Sequence, residues 1–123
     1  MSARGQYFRR GSTGLLVKTI AQLVGDPGAV APLYPMLMLE SGTTRPWSSA
    51  TFDGEHHRLE LRLHGTAAAI GDALDRLVDG LPDAEFELPG QIVAEARLVA
   101  VGVDPDPAVA ALSLVVEVIT VVD

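Results

Sequence analysis

His56-His57-Arg58-Leu59-Glu60-Leu61-Arg62-Leu63-His64 decides how this chain is read. His56, Arg58, Glu60, Arg62 and His64 alternate with His57, Leu59, Leu61 and Leu63. Successive side chains of a strand point to opposite faces, so this stretch is a strand with one wet and one buried face. Asp53-Gly54 is a turn signal just before it. Beyond it the period changes. Thr66 can cap a helix whose apolar stripe is Ile70, Ala73, Leu74, Leu77, Val78 and Leu81. Asp72, Asp75, Arg76 and Asp79 form the wet side, and Gly80 and Pro82 close the helix.

Upstream, Ser12 and Thr13 can cap a first helix running to about Val24, with Leu16, Ile20, Leu23 and Val24 on one face. Gly25-Asp26-Pro27-Gly28 ends it. The same stretch is broken by Lys18 and Gln22, so it reads as an amphipathic helix and not as a secretion signal. Met36-Leu37-Met38-Leu39 follows as a short buried strand. Residues 41–54, which include Arg45, Pro46, Trp47 and Phe52, read as a long loop. Downstream, Ile92 to Val103 and Val109 to Val122 read as strands on either side of the rigid turn Asp104-Pro105-Asp106-Pro107. The last strand is apolar on both faces, which predicts cover on both sides. The order α-β-β-α-β-β gives an α+β domain. Two helices pack on one face of a four-stranded, mainly antiparallel sheet.

Composition narrows the function. The chain has 123 residues, 48% hydrophobic and 20% charged, which suits a single globular domain. It has no cysteine, so disulfides, Cys-ligated metals and thiol catalysis are excluded. No apolar run is long enough to predict a membrane-spanning helix. The net charge of −7 argues against broad nucleic-acid binding. The charge is uneven. Arg4, Arg9, Arg10 and Lys18 precede every acid, and the remainder holds five basic and sixteen acidic residues. Residues 1–11 therefore read as a basic arm ahead of a domain over 12–123. Such an arm can dock on an acidic neighbour or stay solvated.

No catalytic constellation emerges. His56 and His57 point to opposite faces, and His64 lies roughly 26 Å from His56 at strand rise, so the three do not share a metal. Ser48 and Ser49 lack a nucleophile-elbow context. No phosphate loop stands between a strand and a helix. Asp72, Asp75 and Asp79 read as a solvated helix face. No cofactor is implied. The aromatics Tyr7, Phe8, Tyr34, Trp47, Phe52 and Phe86 all fall outside the expected helices and strands, where they serve as contact anchors or as lids over the core. The candidate interface residues are Arg9, Arg10, Arg45, Trp47 and Phe52.

The pattern from Gly14 onward resembles the small tail-completion, or tail-terminator, proteins of long-tailed bacteriophages and gene-transfer agents. The resemblance is carried by Tyr34-Pro35-Met36-Leu37-Met38-Leu39, by Pro46-Trp47-Ser48 with Thr51 and Gly54, and by Glu55 to Leu61. Ala68-Ala69-Ile70 through Leu77, and Leu88-Pro89-Gly90 leading into Ile92–Leu98, continue it. The aliphatic final strand departs from the polar, aromatic-rich one common in the family. The segment before residue 12 has no counterpart. The resemblance implies a non-enzymatic virion protein at the tail–head junction, made in the bacterial cytoplasm. It implies a self-assembled ring, typically a hexamer, with the tail tube and the head connector as partners, DNA only as passing cargo, and no membrane. Two other readings stand beside it: a head–tail joining or neck protein, and a small-ligand-binding α+β dimer whose pocket would be lined by Arg58, Glu60, Arg62 and His64.

Overall fold

The computed structural model describes residues 2–25, 36–103 and 110–122, with side chains of the first helix described from Thr13. Helix α1 spans Ser2–Val24, strand β1 Met36–Ser48, strand β2 Asp53–His64 and helix α2 Ala67–Gly80. Strands β3, Gln91–Val103, and β4, Ala111–Val122, complete the chain. The expected α+β order holds. The four strands form one antiparallel sheet in the order β1-β2-β4-β3.

The alternation around Leu59 does what it predicts. Leu59, Leu61 and Leu63 are buried on the face that the helices cover, together with Leu114, Val116 and Val118 of β4. From α1 come Leu16, Ile20 and Val24, and from α2 come Ile70, Ala73 and Leu77. Thr66 caps α2, its hydroxyl accepting from the Ala69 N–H at 3.1 Å. Val78, expected in the α2 stripe, is exposed instead, because the helix rests on the sheet through a narrower seam. Leu81 is buried in a short 3-10 turn, Leu81–Asp83. Arg76 joins the helices by donating from Nη2 to the Val24 carbonyl at 2.7 Å, a cation at the carbonyl end of α1.

The strand expected to be buried over residues 36–39 is exposed at Met36, Met38 and Leu39, and three further expectations are corrected. First, α1 begins at Ser2 and not at Ser12-Thr13. Thr13 is buried inside the helix, with its methyl 3.3 Å from where a Cβ on Gly42 would stand. Second, most of the stretch read as a loop over 41–54 is strand. β1 continues through Arg45, Pro46 and Trp47 because β2 pairs with it throughout. Only residues 49–52 are left between the two strands. Proline is tolerated at 46 because β1 is an edge strand. Third, the aromatics are not all outside regular structure, since Trp47 lies in β1 and Tyr7 and Phe8 lie on the backbone of α1. Phe86 is half-buried and packs against the core. Tyr34 and the turn at 104–107 lie outside the described residues.

The register orders the sheet into rows that run from one edge to the other. Leu37 pairs with Leu63, Leu63 with Leu112 and Leu112 with Val103. The next rows are Met38–Arg62–Ser113–Gly102 and Leu39–Leu61–Leu114–Val101. Further along, Arg45–His56–Ile119–Glu95 form another. β4 is a central strand. Its buried side meets the helices, while Val115, Glu117, Ile119 and Val121 are half-buried on the face opposite the helices.

Candidate interaction surface

The turn between β1 and β2 is held by one serine. The Ser49 N–H donates to the Phe52 carbonyl at 2.7 Å. The Ser49 hydroxyl oxygen accepts from the Phe52 N–H at 3.0 Å and the Thr51 N–H at 3.3 Å. A short polar side chain that satisfies nearby backbone donors fixes a tight turn. Phe52, 54% exposed, is presented at its tip. An aromatic ring on an ordered turn loses little freedom on contact, which suits an anchor.

Trp47 faces Gly54 across the hairpin. Its ring lies over that glycine, and the indole N–H donates to the Thr120 carbonyl on β4 at 3.2 Å. A Cβ at Gly54 would run into the Thr120 carbonyl oxygen and come 2.9 Å from indole Nε1. The missing side chain is what lets Trp47 reach over one strand to bond the next. Trp47 is half-buried. Arg45 stands two residues before it on the same open face and is exposed.

At the centre of the open face Glu117 is met by two guanidinium groups and an imidazole. Arg58 Nη1 donates to it at 3.1 Å, Arg97 Nη2 at 3.5 Å, and His56 Nε2 stands 3.7 Å away. Burial pushes the Glu117 carboxyl up, but His56, Arg58 and Arg97 together outweigh it and hold the group below the usual carboxylate range. The four residues tie β2, β4 and β3 together as cross-strand pairs. Arg58 is thereby engaged in the sheet, which weakens the reading of that strand face as a pocket lining.

The covered face carries one polar group deep inside. His57 is fully buried, with Nδ1 3.0 Å from the Thr44 hydroxyl. Its Nε2 lies 3.7 Å from Glu55 Oε1 and has no hydrogen-bond partner among the described residues. Burial pushes the imidazole pKa down; Glu55 opposes this and His56 adds to it. His57 is a buried core histidine whose hydrogen-bond partner is the Thr44 hydroxyl. Among the described residues no group of three or more His, Asp or Glu side chains gathers to hold a metal ion. No helix there is long and apolar enough to cross a membrane.

Of the five candidate residues, the structure brings Arg45, Trp47 and Phe52 onto one hairpin. Arg9 and Arg10 lie on α1, and their side chains are outside the described residues. Sequence reading missed the Trp47–Gly54–Thr120 bridge. Thr43, Thr44 and Trp47 are strand-forming types, and that was the available signal.

No family model matches the chain, and no curated protein matches its sequence. A search of solved structures gives a different result. The chain superposes on one from the virion of a native gene transfer agent (GTA) particle, with a TM-score of 0.56. It has the fold of a virion chain. The match covers 83% of this chain and 84% of that one, so the likeness spans the domain and not one motif. Sequence identity is 19%, and the likeness is one of fold.

Proposed function

We propose that this chain is a structural virion protein that caps the tail tube as a hexameric ring. The ring ends tube polymerisation and offers the head connector its docking surface. The observation that carries this reading is the fold shared, over 83% of this chain, with a chain of a gene-transfer-agent virion. Three features of the surface support it. Phe52 stands on a pinned turn and reaches outward as a tube contact. Trp47 braces that turn against β4, and Arg45 lies beside it. The acidic body, net −7 for the chain, repels passing DNA if it lines the bore. Arg9 and Arg10, in the basic segment of the sequence, are taken as contacts for an acidic neighbour. The role needs no catalysis and no cofactor. It puts the protein at the tail–head junction of the particle, after synthesis in the host cytoplasm.

The test is to add purified chain to self-assembling tail-tube protein of the same particle and to measure tube length and end occupancy by electron microscopy. Short, uniform tubes with a ring at one end support capping. Bare ends and unchanged lengths, with binding to the head connector alone, move the chain to the neck.

A further inference from the structure

Among the described residues the sheet has two outer edges, and in the rows of Leu37–Leu39 and of Arg45 their residues complement each other. β1 and β3 are the outer strands. All neighbours are antiparallel, so β1 and β3 run in opposite directions. A neighbouring copy laid edge to edge without being turned over therefore brings its β1 antiparallel to this β3. If the rows continue straight across, its Leu37 meets Val103, its Met38 meets Gly102 and its Leu39 meets Val101. Its Arg45 meets Glu95. The meeting residues are apolar with apolar, and cation with anion.

The apolar stretch of the β3 edge is undefended, whereas β1 carries Glu40 at its bulge and Pro46 beside Arg45. Leu98-Val99-Ala100-Val101-Gly102-Val103 holds no charge and no proline. Val101 is 47% and Val103 77% exposed; on β1, Met36 is 62% and Leu39 42% exposed. A long apolar edge is a template for another strand unless charge, proline or a covering element blunts it. Between the two matched stretches each edge carries one extra residue, and β3 has a second, Ala94, beyond Glu95. Glu40 bulges between Leu39 and Ser41, and Val99 between Leu98 and Ala100. The two insertions offset one another, so Arg45 and Glu95 fall in one row on one side of the bulges, while Leu39 and Val101 fall in one row on the other.

We infer that the β3 edge of one copy takes the β1 edge of a second copy, joining the sheets through Leu37–Leu39 against Val101–Val103 and through Arg45 against Glu95. The contact is heterologous, with a different surface on each partner, and it closes into a ring when the step between copies includes a suitable rotation. This inference rests on the ring reading above and names the surfaces that build the ring. Main-chain hydrogen bonds supply the adhesion, and the alternating side chains set the register.

The absence of cysteine makes the test clean. Arg45→Cys and Glu95→Cys are made separately, each at an exposed position, and together in one chain. Directly opposed residues of an antiparallel pair are close enough to form a disulfide. Under mild oxidation, the mixture of the two single variants yields covalent dimers, and neither variant alone does. The double variant yields a ladder of covalent oligomers. Leu39→Cys mixed with Val101→Cys checks the register on the far side of the bulges and gives dimers as well. Dimers from either single variant alone show a two-fold contact and overturn the inference. So does the absence of dimers from both mixtures. Wild-type tube capping, measured in parallel, separates the two claims. Capped tubes without cross-links sink the edge contact and keep capping. Cross-links without capping keep the edge contact and sink the capping role.

Discussion

The two faces of the sheet are held by different physics. On the covered face Leu59, Leu61, Leu63, Val116 and Val118 lie under two helices with almost no surface left exposed. On the open face Glu117 gathers Arg58, Arg97 and His56, and Trp47 reaches across Gly54 to β4. The covered face is close-packed apolar matter, where any lost volume is felt. The open face sets half-buried Val115, Ile119 and Val121 beside an ion-pair cluster, and exposed ion pairs contribute at most about 1 kcal/mol each. One face therefore sets stability, and the other is free to carry recognition.

The sharpest way to break this division is to remove volume from the covered face. Leu61→Ala is expected to cost about 3 kcal/mol, the range for burying a cavity where a leucine stood. Urea unfolding followed by circular dichroism measures it. A cost below about 1 kcal/mol would mean that the helices do not seal that face.

A smaller, pH-dependent effect comes from His57, the polar exception on the covered face. Burial holds its folded pKa below the ordinary 6.5. As pH falls below that value, the unfolded chain takes up a proton that the folded chain does not. Stability from this group is complete above 6.5 and declines from there toward the folded pKa. Thr44, Glu55 and His56 are the neighbours that tune it. Urea midpoints should drop between about pH 7 and pH 5, and His57→Gln should flatten that slope. An unchanged slope in the variant would show that the His57 pKa does not differ between the folded and unfolded chains. The low carboxyl of Glu117 adds its own loss only below the ordinary carboxylate range.

The smallest effect on stability is expected at the exposed tip. Phe52→Ala should change unfolding by no more than about 0.5 kcal/mol, because the ring leaves no cavity behind. The same variant should lose its hold on the tube end in a pull-down with tube protein. Normal binding would remove the hairpin tip from the contact surface.

Much of the covered face was legible in advance. The alternation at residues 56–64 and the stripe of α2 are strong periodic signals, and they placed the core and the helix order. The open face was less legible. Ser41 to Trp47 contains Gly42 and Pro46 and no alternation of apolar and polar residues, so it reads as loop. It is strand because β2 pairs with it along its length, and a single sequence does not display a pairing partner. The Gly54–Trp47 bridge was hidden for the same reason, because the two residues meet only after the hairpin forms. In the middle of α1, Gly11 to Gly14 resembles a cap, yet the helix runs through it. Thr13 is buried there, and tertiary packing overrides local preference.

The most direct test of the central claim is the length of tail tubes assembled with and without this chain. Capping predicts that added chain shortens the tubes to a narrow distribution and leaves a ring at one end. Tubes that grow to the same lengths, with bare ends at saturating chain, would contradict it.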